Sequence, residues 1–160
     1  AMDNVLGELW DKRKAGVPYK TPTEALVMAS IVERETGLAE ERAKVAGVFV
    51  NRLNRGMRLQ SDPTVIYGLM GTSGSLGRRL TRKDLANKHA YNTYVHCGLQ
   101  PVPIANPGRA ALEAALNPAE TDALYFVADG TGGHSFAGTL KEHNRNVAAW
   151  RKIRRSKKAP

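Results

Sequence analysis

Thr21-Pro22-Thr23-Glu24-Ala25-Leu26-Val27-Met28-Ala29-Ser30-Ile31-Val32-Glu33-Arg34-Glu35-Thr36 carries both a helix signal and a chemical one. Thr21 stands where an N-cap belongs, and Pro22 follows at the first helical position, where its missing N–H costs nothing. Glu24, three residues after the cap, completes a capping-box spacing. The pattern predicts a helix from Pro22 to about Thr36, stopped at Gly37. On a helical wheel, Glu35 falls roughly 20° from the mean direction of the apolar side chains and Glu33 roughly 140° away. Glu35 is therefore expected on the buried face and Glu33 toward solvent. A carboxyl held against apolar side chains has its charged form disfavoured, so it keeps its proton to higher pH and can donate it. The competing reading is a Glu at a fraying helix end that turns to water or pairs with an Arg.

Outward from this helix, apolar spacing predicts one helix over 4–14 and another from about Ala39 to Asn54, stopped by Gly56. Ser61-Asp62-Pro63 opens a short helix reaching about Leu69. The stretch from Gly71 to Arg79 reads as a polar loop. Thr81 starts a short helix, and Asn106-Pro107 caps one running to about Leu116. Leu124 to Ala128 reads as a strand, Asp129 to Gly133 as a turn, and Ser135-Phe136 as the return strand of a small hairpin. Thr139 caps a last helix to about Arg155, with residues 156–160 a frayed basic tail. The expected class is α+β, mostly helical with a small β-hairpin. Residues 1–20 form a lead-in helix and 21–155 the main domain.

The chain has 160 residues, 42% hydrophobic and 6% aromatic, with 15 Gly and 8 Pro. That composition fits one globular domain and excludes collagen-like or disordered classes. With 24 Lys and Arg against 15 Asp and Glu, the formal charge is +9, which suits a nucleic acid, an anionic membrane or an anionic polymer. The single Cys97 excludes an internal disulfide and reads as an inert, partly buried thiol. No run approaches the ~18 apolar residues of a membrane span. Ala1-Met2-Asp3 reads as a cloning remnant ahead of the middle of a longer protein, and the chain as a soluble fragment of it.

Three further stretches carry candidate chemistry. Gln60 and Asp62 flank a helix start with Tyr67 one turn in; a plain N-cap role for Asp62 or Ser61 is the simpler alternative. Tyr91-Asn92-Thr93-Tyr94 sets aromatic rings around an amide, a combination that suits a sugar, with core packing as the alternative. Asp129-Gly130-Thr131-Gly132-Gly133-His134 is Gly-rich but leads into no helix N-terminus and lacks a Walker Lys-Ser/Thr, so it reads as a hairpin turn with His134 beside a cleft. His89, His96 and His143 have no ligand-like spacing, so no metal and no cofactor are expected.

Together these stretches resemble the endolytic murein transglycosylase (YceG-like) family. The resemblance rests on Ala29 to Thr36, on Val48-Phe49-Val50-Asn51-Arg52-Leu53 and on Gly56 to Gly68. It continues through Ala90 to Tyr94, Tyr125 to Gly130 and Gly133 to Phe136, in the family's order. It implies a lysozyme-like catalytic domain cutting the MurNAc-β-1,4-GlcNAc bond of peptidoglycan strands, with Glu35 catalytic. Glu35-Thr36 is similar to the Glu-Ser signature of the wider lytic transglycosylases, with Thr for Ser, and Tyr91-Asn92 to their Tyr-Asn motif. Their Gly-Leu-Met-Gln segment is not present as such. The expected groove residues are Thr36, Gln60, Asp62, Tyr67, Tyr91, Asn92, Tyr94 and His134. The family also implies an N-terminal membrane anchor, a catalytic part facing the periplasm or outer cell surface, and peptidoglycan synthases (penicillin-binding proteins) as partners. Two alternatives stay open. Asp62 as a second carboxylate would give lysozyme-type hydrolysis, and the basic charge would suit a nucleic-acid-binding module. Against the latter, the cations Arg13, Arg42, Arg58, Arg78 and Arg109 are scattered, with a cluster only at the C-terminal end, and no helix-turn-helix or zinc pattern is visible.

Overall fold

The computed structural model describes residues 2–158. In chain order it contains α1 (Met2–Asp11), α2 (Pro22–Glu35), α3 (Arg42–Asn54), α4 (Asp62–Met70), α5 (Arg82–Leu85), α6 (Arg109–Leu116), β1 (Tyr125–Ala128), β2 (His134–Ala137) and α7 (Leu140–Lys158). The class is α+β, as expected from the sequence.

The α2 start follows its signals. Thr21 is extended and its hydroxyl accepts the Glu24 N–H at 3.2 Å, while the Glu24 carboxylate accepts the Lys20 N–H at 2.7 Å. Ala25, Met28, Ala29, Ile31 and Val32 are fully buried and meet α6 through Ala111, Leu112, Ala115 and Leu116. Helix α3 adds Val45, Ala46 and Phe49 to the same core. Helix α1 closes it with Leu9, and Tyr19, just past α1, donates its hydroxyl to the Ala115 carbonyl at 2.9 Å. Burial of some twenty apolar side chains around α2, α3 and α6 is the main stabilising term, at about 1.5–3 kcal/mol for each large one.

Several boundaries depart from expectation. Ala39–Glu41 is a 3-10 turn, and the α-helix begins only at Arg42. Helix α6 begins at Arg109 rather than after Asn106-Pro107, because its entry is capped from outside: the Gly108 N–H donates to Glu33 Oε1 at 3.2 Å. Glu33 is therefore a tie between helices rather than a freely solvated charge. Gly71–Ser73 adds a 3-10 turn to the stretch expected to be loop. Helix α7 runs on to Lys158, past the expected end at Arg155; residues 159–160 of the expected tail lie outside the described residues. Cys97 is exposed, not partly buried.

The sheet is a two-stranded antiparallel hairpin, with Phe126 opposite Phe136 and Ala128 opposite His134. Helix α7 lies against it, started by the Thr139 hydroxyl, which accepts the Glu142 N–H at 3.2 Å. Asn51 and Arg52 of α3 fix the base of the hairpin. Asn51 donates its amide to the Thr121 and Ala123 carbonyls at 2.7 and 3.0 Å, and Arg52 Nε donates to the Leu124 carbonyl at 2.6 Å.

Candidate active site

Helix α2 ends at Glu35, and its side chain enters a cavity of about 430 Å³ between the α3 surface, the loop before α4, β1 and the start of α7. Apolar walls come from Val48, Phe49, Leu59, Leu124 and Phe126. The Glu35 pKa is pushed up to about 7 from 4.5. Desolvation is the largest cause; a hydrogen bond from Ser61 opposes it, and the nearby Asp62 charge reinforces it. The Ser61 hydroxyl donates to Glu35 Oε1 at 2.7 Å. Position adds to this, since the free carbonyls at a helix C-terminus disfavour a further negative charge. A carboxyl that holds its proton to about pH 7 beside open space is suited to general acid catalysis.

Four of the nine site residues expected from sequence meet in this cavity: Glu35, Gln60, Asp62 and Tyr94. Tyr94 donates its hydroxyl to Asp62 Oδ1, and burial followed by the Asp62 charge pushes that phenol well above its ordinary value. Asp62 is the first residue of α4 and Ser61 its N-cap residue, with no side-chain capping bond. The capping expected of Asp62 or Ser61 is therefore absent; both side chains turn instead to the cavity residues Tyr94 and Glu35. Gln60 is the one non-glycine residue among those described with positive φ, at 53°. Such a backbone is costly for a side-chain-bearing residue and collects at functional positions. Two neighbours hold it: its N–H donates to the Thr93 carbonyl at 3.2 Å, and Arg52 reaches its Oε1 at 3.5 Å.

The other five lie elsewhere. Asn92 is fully buried, donating its amide to the Leu85 and Asn87 carbonyls at 2.9 and 2.6 Å and accepting the Tyr94 N–H at 2.8 Å. It shapes the loop that presents Tyr94 and does not line the cavity. Tyr91 packs edge-on against Tyr67 at 5.0 Å between ring centres, and Tyr67 borders a different, smaller cavity. Thr36 is buried at the α2 C-cap, where its hydroxyl accepts the Leu38 N–H at 3.1 Å. His134 is occupied by Glu41, whose carboxylate meets its Nδ1 at 2.6 Å and its N–H at 2.8 Å.

Sequence reasoning did not single out Arg52, Tyr125, His143 or Asn144, which line the cavity. His143 stacks on Tyr125 at 4.9 Å, and burial followed by the Arg52 charge lowers its pKa. The guanidinium of Arg52 lies 5.0 Å from the centre of the Tyr125 ring. A stacked pair of rings edged by a cation offers the flat face on which a sugar ring packs. Among the described residues, no three His, Cys, Asp or Glu side chains converge on a point where a metal could sit. Nor is any helix long and apolar enough to cross a membrane.

Comparison with known proteins agrees on one family. The profile of the YceG-like family matches residues 1–149. A Bacillus subtilis protein named endolytic murein transglycosylase is 48% identical over 120 residues, covering 75% of this chain and 32% of the relative. A Streptococcus pneumoniae protein of the same name is 42% identical over 151 residues, covering 92% of this chain and 27% of the relative. The chain thus spans about a third or less of the length of these curated relatives. The crystal structure of a YceG-like protein from Listeria monocytogenes superposes with a TM-score of 0.73 at 41% identity, covering 89% of this chain and 43% of that one.

Proposed function

The chain belongs to the YceG-like family, and from that premise we propose that it is the catalytic part of a peptidoglycan lytic transglycosylase with Glu35 as its acid and base. The observation that carries the proposal is the single carboxyl with a pKa near 7, Glu35, at a helix end inside a groove walled by aromatic rings.

Glu35 protonates the oxygen joining MurNAc to GlcNAc, and the C1–O bond breaks. The substrate's acetamido group supports the positive charge at C1. Glu35, now a carboxylate, takes the proton of the MurNAc C6 hydroxyl as that oxygen bonds to C1, leaving a 1,6-anhydroMurNAc end. Glu35 gives one proton to the departing GlcNAc oxygen and regains another from the C6 hydroxyl, and no water is consumed, so one carboxyl suffices, in contrast to the two of ordinary glycosidases. Ser61 keeps the Glu35 carboxyl aimed, and Gln60, Tyr94, Tyr125 and His143 line the path of the strand. The lysozyme-like character of the domain belongs to this proposal. So does a membrane-anchored whole protein acting in the periplasm or at the outer cell surface, beside peptidoglycan synthases.

One observation favours a second reading. Asp62 opens onto the same groove as Glu35, and a second carboxylate there suits lysozyme-type hydrolysis. Mass spectrometry of muropeptides released from purified peptidoglycan separates the two. Transglycosylation gives products lighter by one water, with 1,6-anhydroMurNAc ends, whereas exclusively reducing MurNAc ends would establish hydrolysis.

A further inference from the structure

A second cavity, of about 150 Å³, lies on the other side of the wall that holds Glu35. The two cavities share that wall residue by residue: Glu35 lines the first and Arg34 the second, and likewise Asp62 the first and Pro63 the second. The two cavities therefore flank the same two stretches of backbone, at Arg34-Glu35 and at Asp62-Pro63. Its walls are Pro63, Ile66, Tyr67 and Ile104, and its one charged group is the Arg34 guanidinium. Among the described residues, no carboxylate lies within salt-bridge distance of Arg34 and no hydrogen bond engages its side chain. The contrast with Arg78 and Arg109, which pair with Asp84 and with Glu8 and Glu113, is plain. Arg34 is exposed to solvent, with a glycine turn against its guanidinium. A Cβ added to Gly74 would come within 3.2 Å of its Nη2, and Gly74 has a φ of +71°, so the floor beneath the guanidinium is a backbone that only glycine adopts easily.

A half-apolar pocket with one unpaired planar cation takes a carboxylate carried on a short aliphatic chain, which guanidinium binds through two parallel N–H donors. Peptidoglycan offers that group next to the scissile bond, because each MurNAc bears a peptide on its lactyl side chain with free carboxylates. We propose that the Arg34 pocket binds a stem-peptide carboxylate, so that the protein prefers strands that still carry their peptides. This rests on the peptidoglycan reading of the main groove. It assigns to the second cavity a specificity role independent of the bond-breaking step.

Binding and turnover test it separately. Titration calorimetry on the whole chain compares a GlcNAc-MurNAc-peptide with the same disaccharide lacking its peptide. The peptide-bearing ligand should bind roughly five- to tenfold more tightly, and Arg34→Gln should abolish that difference while leaving the peptide-free ligand's affinity unchanged. Arg34→Lys, which keeps the charge but not the fork, should retain part of it. In turnover, Arg34→Gln should raise KM on peptide-bearing strands and not on strands stripped by an amidase. Equal affinity of the wild-type chain for the two ligands, or an equal effect of Arg34→Gln on both, overturns the proposal. Peptide-dependent binding without cleavage of either strand would leave the pocket assigned and refute the transglycosylase reading.

Discussion

Glu35 carries two opposite consequences of one environment. Acid catalysis needs its proton, so kcat/KM should hold at acid pH and fall as pH rises through about 7, the pKa of this half-buried carboxyl. Glu35→Gln keeps size and hydrogen bonding but supplies no proton, so turnover should drop by ~10²–10⁴-fold. Stability in the parent falls over the same pH range, and the opposition appears only in the variant, which gains stability where it loses turnover. The folded-state pKa lies above the ordinary 4.5, so the folded protein binds this proton more tightly. The resulting stabilisation is complete below about pH 4.5 and is lost as pH rises through about 7. Thermal melts at pH 8 should therefore show Glu35→Gln more stable than the parent, by on the order of 1–3 kcal/mol. The gap should close near pH 4. Asp62 gives the complementary case. Asp62→Asn still accepts the Tyr94 hydroxyl, so folding should change little; a stable but inactive Asp62→Asn protein would replace the one-carboxyl mechanism by a two-carboxyl one.

At the scale of elements, glycines in two helices predict opposite outcomes. A Cβ on Gly47 in α3 would sit 2.6 Å from the Ala119 carbonyl oxygen, against backbone that cannot step aside, so Gly47→Ala should cost ~1–3 kcal/mol. Gly7 in α1 has open space around it, and Gly7→Ala should gain about 0.5–1 kcal/mol; urea titrations of the two variants check both. The elements themselves were largely legible, because Thr21, Pro22, Thr81 and Thr139 are local signals and a helix start needs only its own turn. Glu35 was legible for the same reason, since a wheel tests one helix against itself. What escaped was contact between distant segments. Arg52 earns its place through Leu124, more than seventy residues on, and His143 by stacking on Tyr125. Nothing in the spacing of either segment records the meeting. Asn92 misled in the reverse sense: its amide is chemically fit for a sugar, but the loop's own carbonyls consume it.

Across the whole molecule the charge gathers at the C-terminal end, as the sequence indicated. Helix α7 holds eight of the 24 basic residues and one acid, Glu142, hence +7 of the chain's +9. Elsewhere Arg78 and Arg109 are neutralised by neighbours. A nucleic-acid partner would have to meet this one helix, whereas an anionic wall polymer needs only a charged flank beside the groove. Replacing Arg151, Lys152 and Arg155 by Gln should weaken retention on purified sacculi and flatten its salt dependence without altering the thermal melt, since all three are exposed and none pairs with a carboxylate among the described residues.

The same helix rests chiefly on the hairpin, and the hairpin is moored to the helical core through Asn51 and Arg52 at its base, through Phe126 packed edge-on against Phe49 and through Glu41 at His134. Amide hydrogens report the outcome: those of 125–137 and 140–158 should exchange together and well before those of α2, α3 and α6, with Leu124 marking the divide. Tyr125, Phe126, His143 and Asn144 ride on the exchanging side, while Glu35, Gln60 and Asp62 belong to the protected one. That outcome would let one bank of the channel part from the other without unfolding the molecule, and the polymer of the proposed reaction would then be laid in from the side, with no free end to thread.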